Sequence, residues 1–144
     1  MLRLVLSQYP NLVLETLKSP QFNVATTLPE IEKMYGGSIV MLIGSDVVKT
    51  FSYRWPGLQQ LLSSVELVIG LRGSDTSQEV EAMLRQCEAA YNFKITYKLI
   101  PSPHLQLAST YIRQGRHYID DIDPKVADYI KANRLYKESS DLKA

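Results

Sequence analysis

The chain has 144 residues, 45% of them apolar and 22% charged, with a formal net charge of +1 and one cysteine. That is the make-up expected of a single globular domain, residues 1–144, with its own core. It gives no reason to expect nucleic acid or a membrane as partner, since the charge is near balance and no apolar run is long enough to span a bilayer. Cys87 alone closes no internal disulfide and offers no metal cluster, which points to a reducing, cytoplasmic setting. Met1-Leu2-Arg3 does not open a recognisable signal peptide.

Taken in order, helical and extended patterns alternate. Leu2, Val5 and Leu6 form a short helical stripe that ends before Pro10, and Leu12-Val13-Leu14 reads as a strand. Thr27-Leu28-Pro29-Glu30 has the form of a capping box with Thr27 as N-cap, opening a helix with Leu28, Ile31 and Met34 on its buried face. Gly36-Gly37 ends it. Residues 39–43 are continuously apolar, as expected for a strand covered on both faces.

Gly44-Ser45-Asp46 follows that strand directly. In open α/β sheets ligands bind at the carboxyl ends of strands, where glycine lets backbone come close and a carboxylate can accept from ribose hydroxyls. An ordinary cap or Asx-turn at Asp46 is the plainer alternative. Phe51-Ser52-Tyr53-Arg54-Trp55 holds the only tryptophan; core packing and an aromatic ligand contact are both open to it.

Pro56 suits the first turn of a helix through Leu58, Leu61 and Leu62, and residues 65–71 form the next strand, ending at Arg72-Gly73. Thr76-Ser77-Gln78-Glu79 is a second capping box, for a helix with Val80, Met83, Leu84 and Cys87 on one face. Cys87 therefore reads as a core residue. Residues 93–100 alternate, Phe93, Ile95, Tyr97 and Leu99 against Lys94, Thr96 and Lys98, marking a strand near a sheet edge.

After Pro101 and Pro103 comes Leu107-Ala108-Ser109-Thr110-Tyr111-Ile112-Arg113. If Ser109 caps a helix, then Ser109, Thr110 and Arg113 share one face, and hydroxyls, free amides and a guanidinium together suit a polyphosphate. An N-cap followed by a surface arginine explains the same residues. Asp123 caps a final helix with Pro124 at its first position, and residues 137–144 are polar. Alternating elements of this kind predict a Rossmann-like α/β sandwich of three layers around a mostly parallel sheet.

The 107–113 segment resembles the I-S-S-T-x-I-R motif of the nucleotidylyltransferases. Ile122-Asp123-Pro124, Val126, Tyr129-Ile130 and Leu135-Tyr136 resemble the V-P-x-x-V-x-x-Y-I-x-x-x-x-L-Y ending of nicotinate/nicotinamide mononucleotide adenylyltransferases. Leu42-Ile43-Gly44-Ser45-Asp46 resembles that family's I-G-x-D segment, the strand end at Arg72 its V-V-x-R, and Pro10 to Leu12 its P-N-L. Two departures accompany these matches. Ala108 stands where the first serine is usual, and the helix after Arg113 is about one turn shorter. The H-x-G-H motif that binds ATP phosphates has no counterpart, because the two histidines, His104 and His117, lie in no such motif. The resemblance implies a chain that begins after the family's first strands, an N-terminally shortened form whose uncovered sheet edge would recruit a second copy or a partner chain.

What the resemblance implies for function is transfer of an adenylyl group from ATP, with Mg²⁺, to nicotinate or nicotinamide mononucleotide in NAD biosynthesis. Ser109, Thr110 and Arg113 would hold the β- and γ-phosphates. Gly44 and Asp46 would meet the ribose, Arg72 the adenine or a phosphate, and Trp55 would stack on the pyridine. A non-catalytic relative that binds nucleotide or a protein partner is the alternative.

Overall fold

The computed structural model describes residues 1–18, 21–101 and 122–136. In chain order its elements are α1 (Leu2–Leu6), α2 (Val24–Tyr35), β1 (Ile39–Gly44), α3 (Ser45–Lys49), a 3-10 turn (Thr50–Tyr53), α4 (Leu58–Ser64), β2 (Val65–Gly70), α5 (Ser77–Tyr91), β3 (Tyr97–Ile100) and α6 (Pro124–Ala132). They fall into two compact units. One holds residues 1–16 and 122–136, the other the described residues from 17 to 101.

The larger unit is built on a parallel sheet in the order β1-β2-β3, with Ile39 opposite Val65, Gly44 opposite Gly70 and Leu67 opposite Tyr97. Parallel neighbours need crossovers long enough to return the chain, and α4 and α5 lie in those two connections. The result is the Rossmann-like α/β arrangement expected from the alternating pattern. One face of the sheet carries the core. Leu67 and Ile69 of β2 are fully buried, packed with Val48, Phe51, Leu58, Leu62, Val80 and Leu84 from the helices and the 3-10 turn.

β1 is not covered on both faces as its apolar run suggests. Ile39, Met41 and Ile43 pack against the core, whereas Val40 and Leu42 are 57% and 71% exposed. A run of five apolar residues satisfies the period of a buried strand, but composition alone does not say what lies over the second face. The uncovered apolar surface is thus Val40 and Leu42, and Ile39, Met41 and Ile43 are the covered set.

α2 starts earlier than the Thr27 box implies. Asn23 is the N-cap, its side chain accepting from the Ala25 N–H at 2.9 Å while its own N–H donates to Thr27 Oγ1 at 3.0 Å. Thr27 is therefore a buried residue of the second turn, and Pro29 sits inside the helix. The proline removes the N–H that Ala25 C=O would accept, a local loss outweighed by the stronger upstream cap and by burial of Val24 and Leu28. Gly36 ends the helix at φ 64, a left-handed backbone angle that suits glycine, but Met34 remains 47% exposed, one turn beyond the core. At α4 the cap is Gly57 rather than the turn at Pro56, which lies outside the helix.

The Thr76 box is present as read: Thr76 Oγ1 accepts from the Glu79 N–H and Glu79 accepts from the Thr76 N–H, opening α5. The Thr76 N–H and the Thr76 hydroxyl, which also donates to Glu79 Oε2 at 2.9 Å, hold the Glu79 carboxyl below its ordinary pKa. β3 is shorter than residues 93–100: pairing with β2 begins at Tyr97, and just before it the Ile95 N–H donates to Glu88 Oε1 at 3.0 Å. In the smaller unit α1 packs against α6, and Asp123 caps α6 by accepting from the Lys125 N–H while also accepting from Gln8 Nε2. Leu12, Val13 and Leu14 form no strand and are exposed, since no described strand pairs with them.

Candidate functional site

The carboxyl ends of β1 and β2 lie side by side, Gly44 opposite Gly70. The residues that leave them are Ser45-Asp46 on one side and Leu71-Arg72 on the other. Asp46 Oδ1 and Arg72 Nε stand 3.5 Å apart with both side chains more than half exposed. They meet above Gly44, where a Cβ would collide with Asp46 Oδ1 and lie 2.6 Å from Arg72 Nε. Glycine at this strand end keeps the space over the backbone open to the two charged groups. A carboxylate and a guanidinium facing solvent at the carboxyl edge of a parallel sheet form a polar pair fit for sugar hydroxyls and phosphate.

Three of the residues read from the sequence are thus brought together: Gly44, Asp46 and Arg72. No family model matches this chain. Its sequence is 27% identical over 126 residues to a probable nicotinate-nucleotide adenylyltransferase of Flavobacterium johnsoniae, an alignment that covers 85% of this chain. The chain spans about 60% of that protein's length.

Trp55 is half-buried at the far end of the segment that follows β1. Its ring meets Phe51 edge-on at a centroid distance of 6.3 Å and packs on the core cluster. Ser109, Thr110 and Arg113 lie outside the described residues. Among the described residues no group of three or more histidine, cysteine, aspartate or glutamate side chains is placed to hold a metal ion. Asp46 and Asp75 each face a basic side chain, Arg72 and Lys49 respectively. No helix among the described residues is long and apolar enough to cross a membrane.

Beneath the exposed pair runs a network that sequence reading missed. Ser45, fully buried, accepts from the Arg72 N–H at 2.9 Å and donates to Asp75 Oδ2 at 2.7 Å, while Lys49 Nζ reaches Asp75 Oδ1 at 2.6 Å. Ser45 and Asp75 are thirty positions apart, and Gly73-Ser74-Asp75 looks like any turn before a capped helix. Only the order of the strands joins them. The Lys49 ammonium, then the Ser45 hydroxyl, hold the Asp75 carboxyl below its ordinary value. A lowered carboxylate pKa adds stability that is present above about pH 4 and lost as the pH falls through the folded-state value. Urea unfolding from pH 7 to pH 3 should therefore show an acid decline that is shallower in Asp75→Asn. Identical slopes in the two proteins would show that Asp75 contributes nothing to it.

Cys87 is one of the residues that line a cleft of about 210 Å³ between Val48–Arg54 and Met83–Tyr91. Burial pushes its thiol pKa up, opposed by the nearby Arg54 charge, which keeps it a core thiol rather than a reactive one.

Proposed function

We propose that this chain is a nucleotidylyltransferase-like domain that binds, in a cytoplasmic setting, the substrates of adenylyl transfer in NAD biosynthesis, ATP carried with Mg²⁺ and nicotinate or nicotinamide mononucleotide, with little turnover by these 144 residues alone. The observation that carries the reading is the Asp46–Arg72 pair over Gly44 at the paired strand ends, and the likeness to a protein of that name supports it. In this reading Asp46 accepts from ribose hydroxyls, Arg72 faces the adenine or a phosphate, and Trp55 stacks on the pyridine. Ser109, Thr110 and Arg113 hold the β- and γ-phosphates. The mononucleotide phosphate is itself an anionic nucleophile, so the protein's part is positioning and charge stabilisation, not proton abstraction.

A second reading is a non-catalytic nucleotide-binding or interaction protein of the same family. The exposed Val40 and Leu42 on β1 favour it. So does the free edge of β1, which pairs only with β2 among the described strands. A second copy or a partner strand would satisfy that edge.

The test is a titration followed by calorimetry and Trp55 fluorescence. Each mononucleotide should quench Trp55 saturably, and ATP with Mg²⁺ should bind with an affinity that Asp46→Ala lowers by about 1.5–3 kcal/mol, the range for hydrogen bonds to a charged group. Neither quenching nor heat at millimolar ligand would sink the first reading and leave only an interaction role for the chain. Binding that Asp46→Ala leaves unchanged would move the site elsewhere.

A further inference from the structure

We infer that Ser45 is a positioning residue for nucleotide binding, acting through Arg72; this rests on the reading of Asp46 and Arg72 given above. The ion pair itself cannot fix the direction of Arg72. At 3.5 Å between two half-exposed side chains, it is of the kind that contributes little and leaves the side chains free to move. What fixes Arg72 is its backbone. β2 ends at Gly70, and the Leu71 N–H is still held on the β3 side by Ile100 C=O at 3.1 Å. The Arg72 N–H is the first beyond the sheet, and its partner is a side chain from the neighbouring strand end, Ser45 Oγ.

The hydroxyl is used in both directions. It accepts from Arg72 and donates its proton to Asp75, and the Asp75 N–H returns to Arg72 C=O at 3.0 Å. The turn from Arg72 to Asp75 is thereby closed on itself and clamped to the residue after β1, with Lys49 holding the outer carboxylate oxygen. Because Ser45 is fully buried, water cannot replace the hydroxyl without rearrangement. Removing it leaves the Arg72 N–H without its partner and Asp75 without one donor. The separation of Arg72 from Asp46 across Gly44 is then no longer set.

The experiment is a double-mutant cycle on the full chain, read by ATP affinity with Mg²⁺ in calorimetry. Ser45→Ala should weaken ATP binding about tenfold, within the coupling range of residues in one network, and should cost nothing further when Arg72→Ala is already present. Asp75→Asn, close in size to the native residue, should behave in the same way. Equal losses in both backgrounds would overturn the positioning role and leave the functional reading standing. Failure of the unchanged chain to bind ATP would overturn the functional reading and this role with it. Hydrogen exchange supplies a readout that needs no ligand: in Ser45→Ala the Arg72 amide should exchange about tenfold faster while the Ile69 amide, inside the ladder, keeps its rate. An unchanged Arg72 amide would show that Ser45 does not hold it, and would overturn the inference.

Discussion

Given ATP, Mg²⁺ and either pyridine mononucleotide, the 144-residue chain should form dinucleotide on the order of a thousandfold or more below the 1–10³ s⁻¹ of ordinary enzymes. The reasoning concerns charge at the α-phosphate. In-line attack by a mononucleotide phosphate brings two anions together, and the barrier falls only if donors are already in place around the phosphorus as charge moves to the leaving pyrophosphate. The resemblance assigns that work to the paired histidines of H-x-G-H together with the Ser109–Arg113 group. The sequence holds two histidines, His104 and His117, in no such pairing. Donors that act as a unit fail as a unit, so losing part of the set costs far more than a proportionate share of the rate. Turnover assays with each mononucleotide decide the matter. Brisk product formation would mean that other residues of this chain neutralise the α-phosphate, and that the second, non-catalytic reading is wrong.

The second large effect is structural. Leu67→Ala should destabilise the chain by about 2–5 kcal/mol, the range for deleting a fully buried leucine, whereas Val40→Ala should change stability by about 0.5 kcal/mol or less, as for surface sites generally. The two residues belong to neighbouring strands of one sheet but stand at opposite ends of the burial scale, 0% against 57% exposed. Against a total of about 5–15 kcal/mol for a globular domain, the first loss is a large share of the whole. Urea unfolding with matched slopes measures both. Equal, small effects would mean that the face of β2 toward α4 and α5 is not the core.

Much of this was legible in sequence wherever one local interaction decides the outcome. The Thr76-to-Glu79 box, the stripe of Val80, Leu84 and Cys87, and the Asp123-Pro124 start each depend on residues within a turn or two of one another. The Thr27 box shows the limit of such reading. Its letters fit a cap, but Asn23, four residues earlier, offers a better one, and the pattern does not rank the two. Long-range facts were out of reach for another reason. That Leu42 faces solvent while Ile43 faces the core depends on what packs over each side of the sheet, and that Ser45 meets Asp75 depends on β1 and β2 being neighbours. At the site, Gly44, Asp46 and Arg72 could each be picked out as strand-end residues. Their convergence over the missing Cβ of Gly44 could not.

The register of the sheet also bears on how the chain is made. Ile39 pairs with Val65 and Leu67 with Tyr97, so each ladder joins residues 26 and 30 positions apart in sequence. Chains dominated by such distant contacts close slowly, because the entropy of each long loop is lost before any pairing rewards it. During synthesis at about 5–20 residues per second, β1 leaves the ribosome some seconds before β2 can reach it. For that interval Ile39, Met41 and Ile43 are as bare as Val40 and Leu42, and both surfaces of an apolar strand are open to the cell's chaperones and to other nascent chains. Yield of soluble protein should then depend on translation speed and on the polarity of positions 40 and 42, two quantities that leave the folded core untouched.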